Sequence, residues 1–526
     1  MRFFNTAGPV NPTLHYCLDP LRRLELNTLL PLIAQQKYFV LHAPRQTGKT
    51  SGLLALREFL NAGDQYRCVY VNVEIAQSAR EDVAAAMRAI LYAGWMQAKV
   101  VSADLAAIAI GPLLEQAGEY GALQALLSAW ASASDQPLVV LIDEIDALIG
   151  DTLIAVLRQL RAGYPDRPAR FPQTVILCGV RDVRDYRIHS AATKEIITGG
   201  SAFNIKAKSL RLGNFSRDEM AALYAGHTVE TGQTFTEEAL ERAWALTRGQ
   251  PWLVNALGYE ICFESPAGRE RSQPITAERL DEAKEALILR RETHLDQLAD
   301  KLREPRVRRV IEPLLSGAEL QGQASDEDIQ YVLDLGLIDR ASGEIAIANA
   351  IYREIIPRQL TYVQHLDLEA AQKTAWYVGL DGRLDDGKLL AGFQEFFREH
   401  SEHWLQRFDY HEAGPQLLLQ AFLQRIINGG GRIEREYGLG RGRTDLLVLW
   451  RHPGGVQKIV MELKILRKTL ERTRTEGLEQ TWQYLDRVGE GAGHLVIFDR
   501  SNRPWEEKIY RQEETWRGRQ ISVWGC

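Results

Sequence analysis

The stretch from residue 38 to residue 57 constrains this chain more than any other. An apolar run, Tyr38-Phe-Val-Leu-His, leads into Ala43-Pro-Arg-Gln-Thr-Gly48-Lys49-Thr50, and the helical Ser51-Gly-Leu-Leu-Ala-Leu-Arg follows. A strand that turns tightly into a helix N-terminus leaves unpaired backbone N–H groups at the turn, and these form a cradle for an anion. Lys49 is spaced to reach the β- and γ-oxygens of a phosphate chain, and the Thr50 hydroxyl to ligate Mg2+. The expected nucleotide-binding residues are therefore Ala43, Pro44, Arg45, Gln46, Thr47, Gly48, Lys49, Thr50 and Ser51. Ala43 stands where such a loop usually begins with glycine. Its methyl group is small, but it would be strained if the position demanded a positive φ.

A partner lies about 90 residues on, in Leu138-Val-Val-Leu-Ile-Asp143-Glu144-Ile-Asp146. A buried apolar strand that ends in two acids puts Asp143 where it can hold Mg2+ through water and Glu144 where it can polarise an attacking water. Taken alone, the acids would also suit the cap of a helix starting at Asp146. The loop upstream favours the phosphate reading. Two further apolar runs, Cys68-Val-Tyr-Val-Asn-Val and Thr174-Val-Ile-Leu-Cys, suit strands covered on both faces, so a parallel α/β sheet is expected up to residue 210. Beyond the last of them, Gly179-Val-Arg181-Asp-Val-Arg184-Asp-Tyr-Arg187 offers arginines that can meet a γ-phosphate in cis or in trans. Arg181 is nearest the strand. Arg184 and Arg187 suit a solvated loop equally well. Residues 211–290 are helical in pattern, and Thr247-Arg-Gly249-Gln-Pro251 marks a helix stop.

These motifs are of Walker A and Walker B type. Together with GVRD and RGQPW they resemble the STAND and Orc/Cdc6-like branch of AAA+ ATPases over roughly residues 10 to 260. The resemblance implies ATP held with Mg2+ between core and helical lid, Pro251 near the base, Arg181 near the phosphates, and nucleotide-dependent homo-oligomers. Residues 291–360, with Asp334-Leu-Gly-Leu-Ile and the alternating Gly343-Glu-Ile-Ala-Ile-Ala, are similar to the winged-helix segment that follows such ATPases.

A second constellation sits near the end of the chain. Asp445 opens the run Asp445-Leu-Leu-Val-Leu-Trp, and Ile459-Val-Met-Glu462-Leu-Lys464 follows after a turn. Glu462 and Lys464 are two apart on a strand and leave the same face. Carboxylates from adjacent strands can converge on a divalent cation that ligates a phosphate oxygen and acidifies a water, with Lys464 orienting that water or stabilising the charge that develops. A lysine between Leu463 and Ile465 also calls for a partner, because an unpaired buried ammonium is costly. Asp445, Glu462 and Lys464 resemble the PD-(D/E)XK nuclease superfamily. Gln480-Thr-Trp-Gln-Tyr484 is similar to the helix of its RecB-like and Cas4-like members, which implies Gln480 and Tyr484 near metal and nucleic acid. The resemblance also implies a metal-binding glutamate upstream, for which Glu412 is the first candidate and Glu436 its rival. Thr444 stands where that family usually has proline. Arg441, Arg443, Arg467, Lys468, Arg472 and Arg474 would rim the site, with Trp482 and Tyr484 as stacking faces, as frayed or single-stranded ends require. The competing reading is a salt-bridge ladder on an antiparallel meander with Tyr484 in its core.

With 526 residues the chain exceeds one ordinary core. The expected organisation is α/β multidomain: a P-loop parallel sheet over 1–210, a helical lid over 211–290, a winged-helix-like segment over 291–360, a helical linker over 361–411, and a mixed α/β nuclease-like domain over 412–526. The net charge of −6 gives no argument for nucleic-acid binding by the whole molecule, but residues 412–526 carry +4 and the remainder −10. Five scattered cysteines without a CxxC suggest neither a disulfide framework nor a zinc site and fit a reducing cytoplasm. No window approaches 18 uninterrupted apolar residues, so no membrane association is expected. The sequence thus predicts an ATP-binding, Mg2+-using ATPase that gates a nuclease acting on DNA, with Mn2+ able to substitute at the nuclease site. RNA as substrate, and a nuclease-like domain that only binds nucleic acid or a partner, are the alternatives.

Overall fold

The computed structural model describes residues 1–182, 187–189, 196–198, 203–266, 268–290, 300–315, 324–340, 343–360, 377–379, 381–405, 419, 422–423, 431–436, 445–466, 469–499, 501 and 503–526. They fall into two compact units, Met1–Arg290 with Leu333–Leu337, and Arg291–Val332 with Ile338–Cys526.

The first unit opens on a short parallel pair, β1 (Phe3–Phe4) and β2 (His15–Tyr16). Its sheet is built from β3 (Tyr38–His42), β4 (Arg67–Asn72), β5 (Leu138–Asp143) and β6 (Thr174–Gly179). After a small antiparallel pair, β7 (Arg187–His189) and β8 (Ile196–Thr198), the sheet is completed by β9 (Lys206–Arg211). The order is β4-β5-β6-β3-β9 with every pair parallel. Alternate residues feed two cores. Tyr38, Val40, Val69, Val140 and Leu177 face one that contains Trp130, and Phe39, Leu41, Cys68, Val139 and Ile176 face another that contains Leu53 and Leu56. This double coverage explains why the strands read as unbroken apolar runs.

Among the described residues of this unit, the α-helices after β9 are Arg217–Thr231, Glu237–Thr247, Pro251–Tyr259 and Ala277–Arg290. The first begins with a capping box, Ser216 and Glu219 each accepting from the other's backbone N–H. The RGQP stretch both stops one helix and starts the next. Arg248 and Gly249 take φ of 47° and 72°, after which the Gln250 side chain accepts from Leu253 N and Pro251 occupies the first turn. Gly249 is required there, since a Cβ would lie 2.0 Å from Phe215 O.

In the second unit, the helix Pro305–Leu315 precedes a two-stranded antiparallel pair, β10 (Ile338–Asp339) and β11 (Ala346–Ile347), and then the helix Ala350–Leu360. The alternating stretch after Gly343 thus does supply a small hairpin. A six-stranded mixed sheet follows, made of β12 (Gly431–Glu436), β13 (Asp445–His452), β14 (Gly455–Ile465), β15 (Ala492–Phe498), β16 (Tyr510–Trp516) and β17 (Arg519–Gly525). Its order is β12-β13-β14-β15-β17-β16. Strands β12, β13 and β14 run as an antiparallel meander, and β14, β15 and β17 are parallel. A parallel step needs a crossover, and the helix Leu470–Val488 supplies it between β14 and β15. That helix buries Leu478, Tyr484 and Leu485 against Leu447, Val460, Leu495 and Ile497. On the other face, Leu389, Phe393 and Phe397 of the helix Asp386–Leu405 pack on Leu446, Val448, Met461, Val496 and Phe498. Among the described residues no helix is long and apolar enough to cross a membrane.

Candidate functional site

The Ala43–Thr50 loop forms where β3 ends. Lys49 begins the helix Lys49–Ala62, and Gly48 before it has φ 91°. The left-handed positions of the loop are Gln46 (φ 57°) and Gly48; Ala43 is not among them, so alanine there carries no backbone strain. Lys49 is 5% exposed, and its Nζ donates to the carbonyls of Ala43 and Pro44, both at 3.0 Å. The ammonium is thus held across the loop by two of its own carbonyls. Thr47 is buried and donates to Pro44 O at 2.7 Å, which closes the turn. Arg45 and Gln46 are exposed, and Ser51 Oγ accepts from Val10 N at 3.0 Å.

Strand β5 delivers the acids beside it. Asp143 is fully buried and accepts from Thr50 Oγ1 at 2.7 Å, from Tyr70 Oη at 2.9 Å and from Glu144 N at 3.0 Å. Burial and the neighbouring Asp143 push the Tyr70 hydroxyl far above its usual range, so it stays protonated and donates. A hydroxyl and a carboxylate oxygen 2.7 Å apart at the head of the cradle are the hard ligands Mg2+ takes beside phosphate oxygens, so the residues fit that ion. Glu144 follows in a left-handed conformation, φ 57° and ψ 43°. Burial raises its carboxyl pKa, Asp146 and Asp143 raise it further, and Lys49 and Arg45 oppose them. Asp146 has a separate task, accepting from Val180 N at 2.9 Å.

A cleft of about 140 Å³ opens next to the loop. Gln46, Gly48 and Ser51 line it from the loop side, Phe215, Pro251 and Trp252 from the helical side, and Thr6, Ala7 and Gly8 from the start of the chain. Trp252 Nε1 donates to Thr6 O at 2.9 Å. Pro251 thus lines the cleft beside the loop. Arg181 is engaged with Asp334, Nε to Oδ2 at 3.5 Å, the pair being 12% and 2% exposed. Arg184 lies outside the described residues, and for Arg187 the backbone in β7 is described. The sequence reading missed Tyr70, whose only signal is a phenol in an otherwise apolar strand. It also missed the wall from Thr6–Gly8, which periodicity does not reveal.

In the second unit, Asp445 opens β13 directly opposite Glu462 of β14, and Glu436 of β12 is directly opposite Asp445. Three acidic positions therefore form one row across three strands, and directly opposed positions share a face of the sheet. Glu462 is fully buried, and Lys464 Nζ approaches its Oε1 to 2.5 Å. This is the pairing a lysine on that strand needs. The helix Leu470–Val488 crosses this row closely. A Cβ on Gly477 would lie 2.6 Å from Leu495 Cδ1, and Leu495 pairs with Glu462 in the ladder. One turn beyond Gly477, Gln480 Oε1 is buried with no hydrogen-bond partner among the described residues. Tyr484, 2% exposed, belongs to the core under that helix.

Of the expected basic rim, Arg472 and Arg474 are described, and both have acidic partners. Arg472 pairs with Glu476 at 2.8 Å and Arg474 with Glu514, while Arg517 lies 4.8 Å over the half-buried ring of Trp482. Glu412, Arg441, Arg443, Thr444, Arg467 and Lys468 lie outside the described residues. Among the described residues no group of three or more His, Cys, Asp or Glu gathers to hold a metal ion.

No family model and no curated protein matches the chain. Solved structures do. A Walker-type ATPase of Pyrococcus abyssi, paby2304, is 15% identical over 67% of this chain and 99% of its own, with a TM-score of 0.46. Cdc6p from Pyrobaculum aerophilum is 14% identical over 67% and 100%, with a TM-score of 0.37. The Thermotoga maritima RuvB Holliday junction branch migration motor is 13% identical over 65% and 95%, with a TM-score of 0.33.

Proposed function

We propose that the first unit is an AAA+ type P-loop ATPase of the STAND and Orc/Cdc6-like kind, and that its nucleotide state gates a metal-dependent nuclease in the second unit acting on DNA. The ATPase half is carried by one observation: Thr50 and Asp143 share a 2.7 Å contact at the head of a loop whose lysine is already laid across it. In this reading Lys49 and the loop N–H groups bind the β- and γ-phosphates of ATP. Bound Mg2+ supplies charge neutralisation on the phosphate oxygens, with Thr50 and Asp143 holding it. Glu144, its affinity for a proton raised by burial and by its acidic neighbours, takes the proton of the attacking water. Arg181 would leave Asp334 to meet the γ-phosphate. Pro251 and Trp252 close the cleft around the base.

Support for the nuclease half is the direct cross-strand opposition of Asp445 and Glu462, with Lys464 two residues along on the same face. A divalent cation, Mg2+ or Mn2+, would polarise the scissile phosphate there, with Asp445 and Glu462 as ligands and Lys464 and Gln480 orienting water. The row of opposed acids favours Glu436 over Glu412 as the third carboxylate. A second reading, in which this unit binds nucleic acid or a protein without cutting, is favoured by the Glu462–Lys464 ion pair and the acidic partners of Arg472 and Arg474. Plasmid nicking in Mg2+ or Mn2+ separates the two, with labelled RNA in parallel. The nuclease reading expects cleavage by the wild-type chain and none by Asp445→Ala or Lys464→Ala, both with unchanged ATPase rates. Cleavage at the wild-type rate by either variant refutes the site.

A further inference from the structure

Arg23 lies in a short 3-10 turn, Arg22–Leu24, far from either phosphate motif in sequence. Its guanidinium nevertheless reaches the loop. Nη1 donates to Thr47 O and Nη2 to Gly213 O, both at 2.7 Å, and the group lies 4.6 Å over the ring of Phe215. A Cβ on Gly48 would come within 2.8 Å of Nη1, so the cation lies close against the residue that precedes the P-loop helix. Gly213 and Phe215 form the joint between β9 and the helices after it. That joint is pinned on one side by Leu212 N to His42 O at 3.0 Å and on the other by Phe215 N to Gly249 O at 2.8 Å. One side chain therefore ties the loop to the joint, and Phe215 carries the joint on to the RGQP turn.

Its charge is unbalanced. Among the described residues no carboxylate comes within ion-pair distance of Arg23, and Glu219 acts on it only from farther away. Burial pulls its pKa down to about 10. A desolvated cation held by two neutral carbonyls is costly to bury, and the cost falls when an anion arrives. Arg23 lines the same cleft as Gln46, Gly48, Pro251 and Trp252. Five N–H groups belong to a guanidinium, and two suffice for the carbonyls, which leaves donors for a phosphate.

We propose that Arg23 is a positioning residue of the nucleotide site, which fixes the P-loop to the joint between sheet and helical lid and takes its counter-charge from the phosphates of the bound nucleotide. The inference rests on the nucleotide-binding reading of the first unit and needs nothing from the second. The test uses the full-length chain with Arg23→Met and Arg23→Lys, measuring ATP and ADP affinity by calorimetry, steady-state hydrolysis, and melting without nucleotide. Arg23→Met is expected to weaken ATP binding by about 10- to 100-fold, the loss of a charge-assisted contact, and to raise KM by the same factor with kcat changed less. Arg23→Lys, which keeps the charge but not the fork, is expected to fall between. Equal nucleotide affinity in wild type and Arg23→Met overturns the proposal. So does a lowered melting temperature with affinity preserved, which is the outcome of a purely structural role. A wild-type chain that binds no nucleotide would instead remove the ATPase reading on which the inference stands.

Discussion

Replacing Glu144 by glutamine tests the catalytic assignment with almost no change in shape. The residue follows β5 in a left-handed conformation, half-buried between Asp143, Asp146 and Lys49. A positioned general base contributes about 10²- to 10⁴-fold to a rate, which corresponds to about 2.7–5.4 kcal/mol of barrier. Hydrolysis by Glu144→Gln should fall by that factor while ATP affinity holds within about threefold, because Lys49, Thr50 and Asp143 are untouched. Stability supplies an independent sign. Burial raises the folded-state pKa of Glu144 above its unfolded value, so the folded chain holds the proton more tightly. Its contribution is therefore most favourable below the ordinary carboxylate range and is lost as pH rises through the raised pKa. Glutamine cannot ionise, so the variant should melt higher than wild type at neutral pH, with the difference closing as pH falls. The paired assays are phosphate release under saturating ATP and melting across pH without nucleotide. Hydrolysis within threefold of wild type would refute the role of Glu144, and a lower melting temperature at neutral pH would refute the electrostatic argument.

Two further outcomes follow from the same site. Tyr70→Phe removes a buried donor to a carboxylate and should cost about 1.5–3 kcal/mol of stability, read as a lower denaturant midpoint at constant slope. Lys49→Ala should lose ATP binding and hydrolysis while its circular dichroism spectrum stays that of wild type, since the ammonium's partners are two loop carbonyls rather than the core.

Much of the first unit was legible because its physics is local and periodic. Apolar runs of five or six residues mean strands covered on both faces, and all four such runs are strands of one parallel sheet. The cradle was readable for the same reason, being a strand, a turn and a helix N-terminus in immediate succession. The loop's tolerance of alanine was not, because only the backbone shows that the left-handed positions are Gln46 and Gly48. Tyr70 and Arg23 escaped notice because they reach the site from other elements, through contacts that no spacing rule encodes. In the second unit the register of β13 and β14 follows from alternation around a short turn, which is why Asp445 and Glu462 were expected together. The opposition of Glu436 to Asp445 depended on a third strand whose pairing the sequence left open. The acid partners of Arg472 and Arg474 were unevenly legible for a related reason. Glu476 is a helical neighbour of Arg472, but Glu514 meets Arg474 from β16, 40 residues away.

The central claim is that the nucleotide state of one unit governs cleavage by the other, and the ATP dependence of DNA cleavage tests it most directly. Plasmid nicking in Mg2+ should change at least severalfold when ATP is added to the wild-type chain and should not respond to ATP in Lys49→Ala. Cleavage that is equal with and without ATP, or that responds to ATP in the Lys49→Ala chain, would contradict the gating.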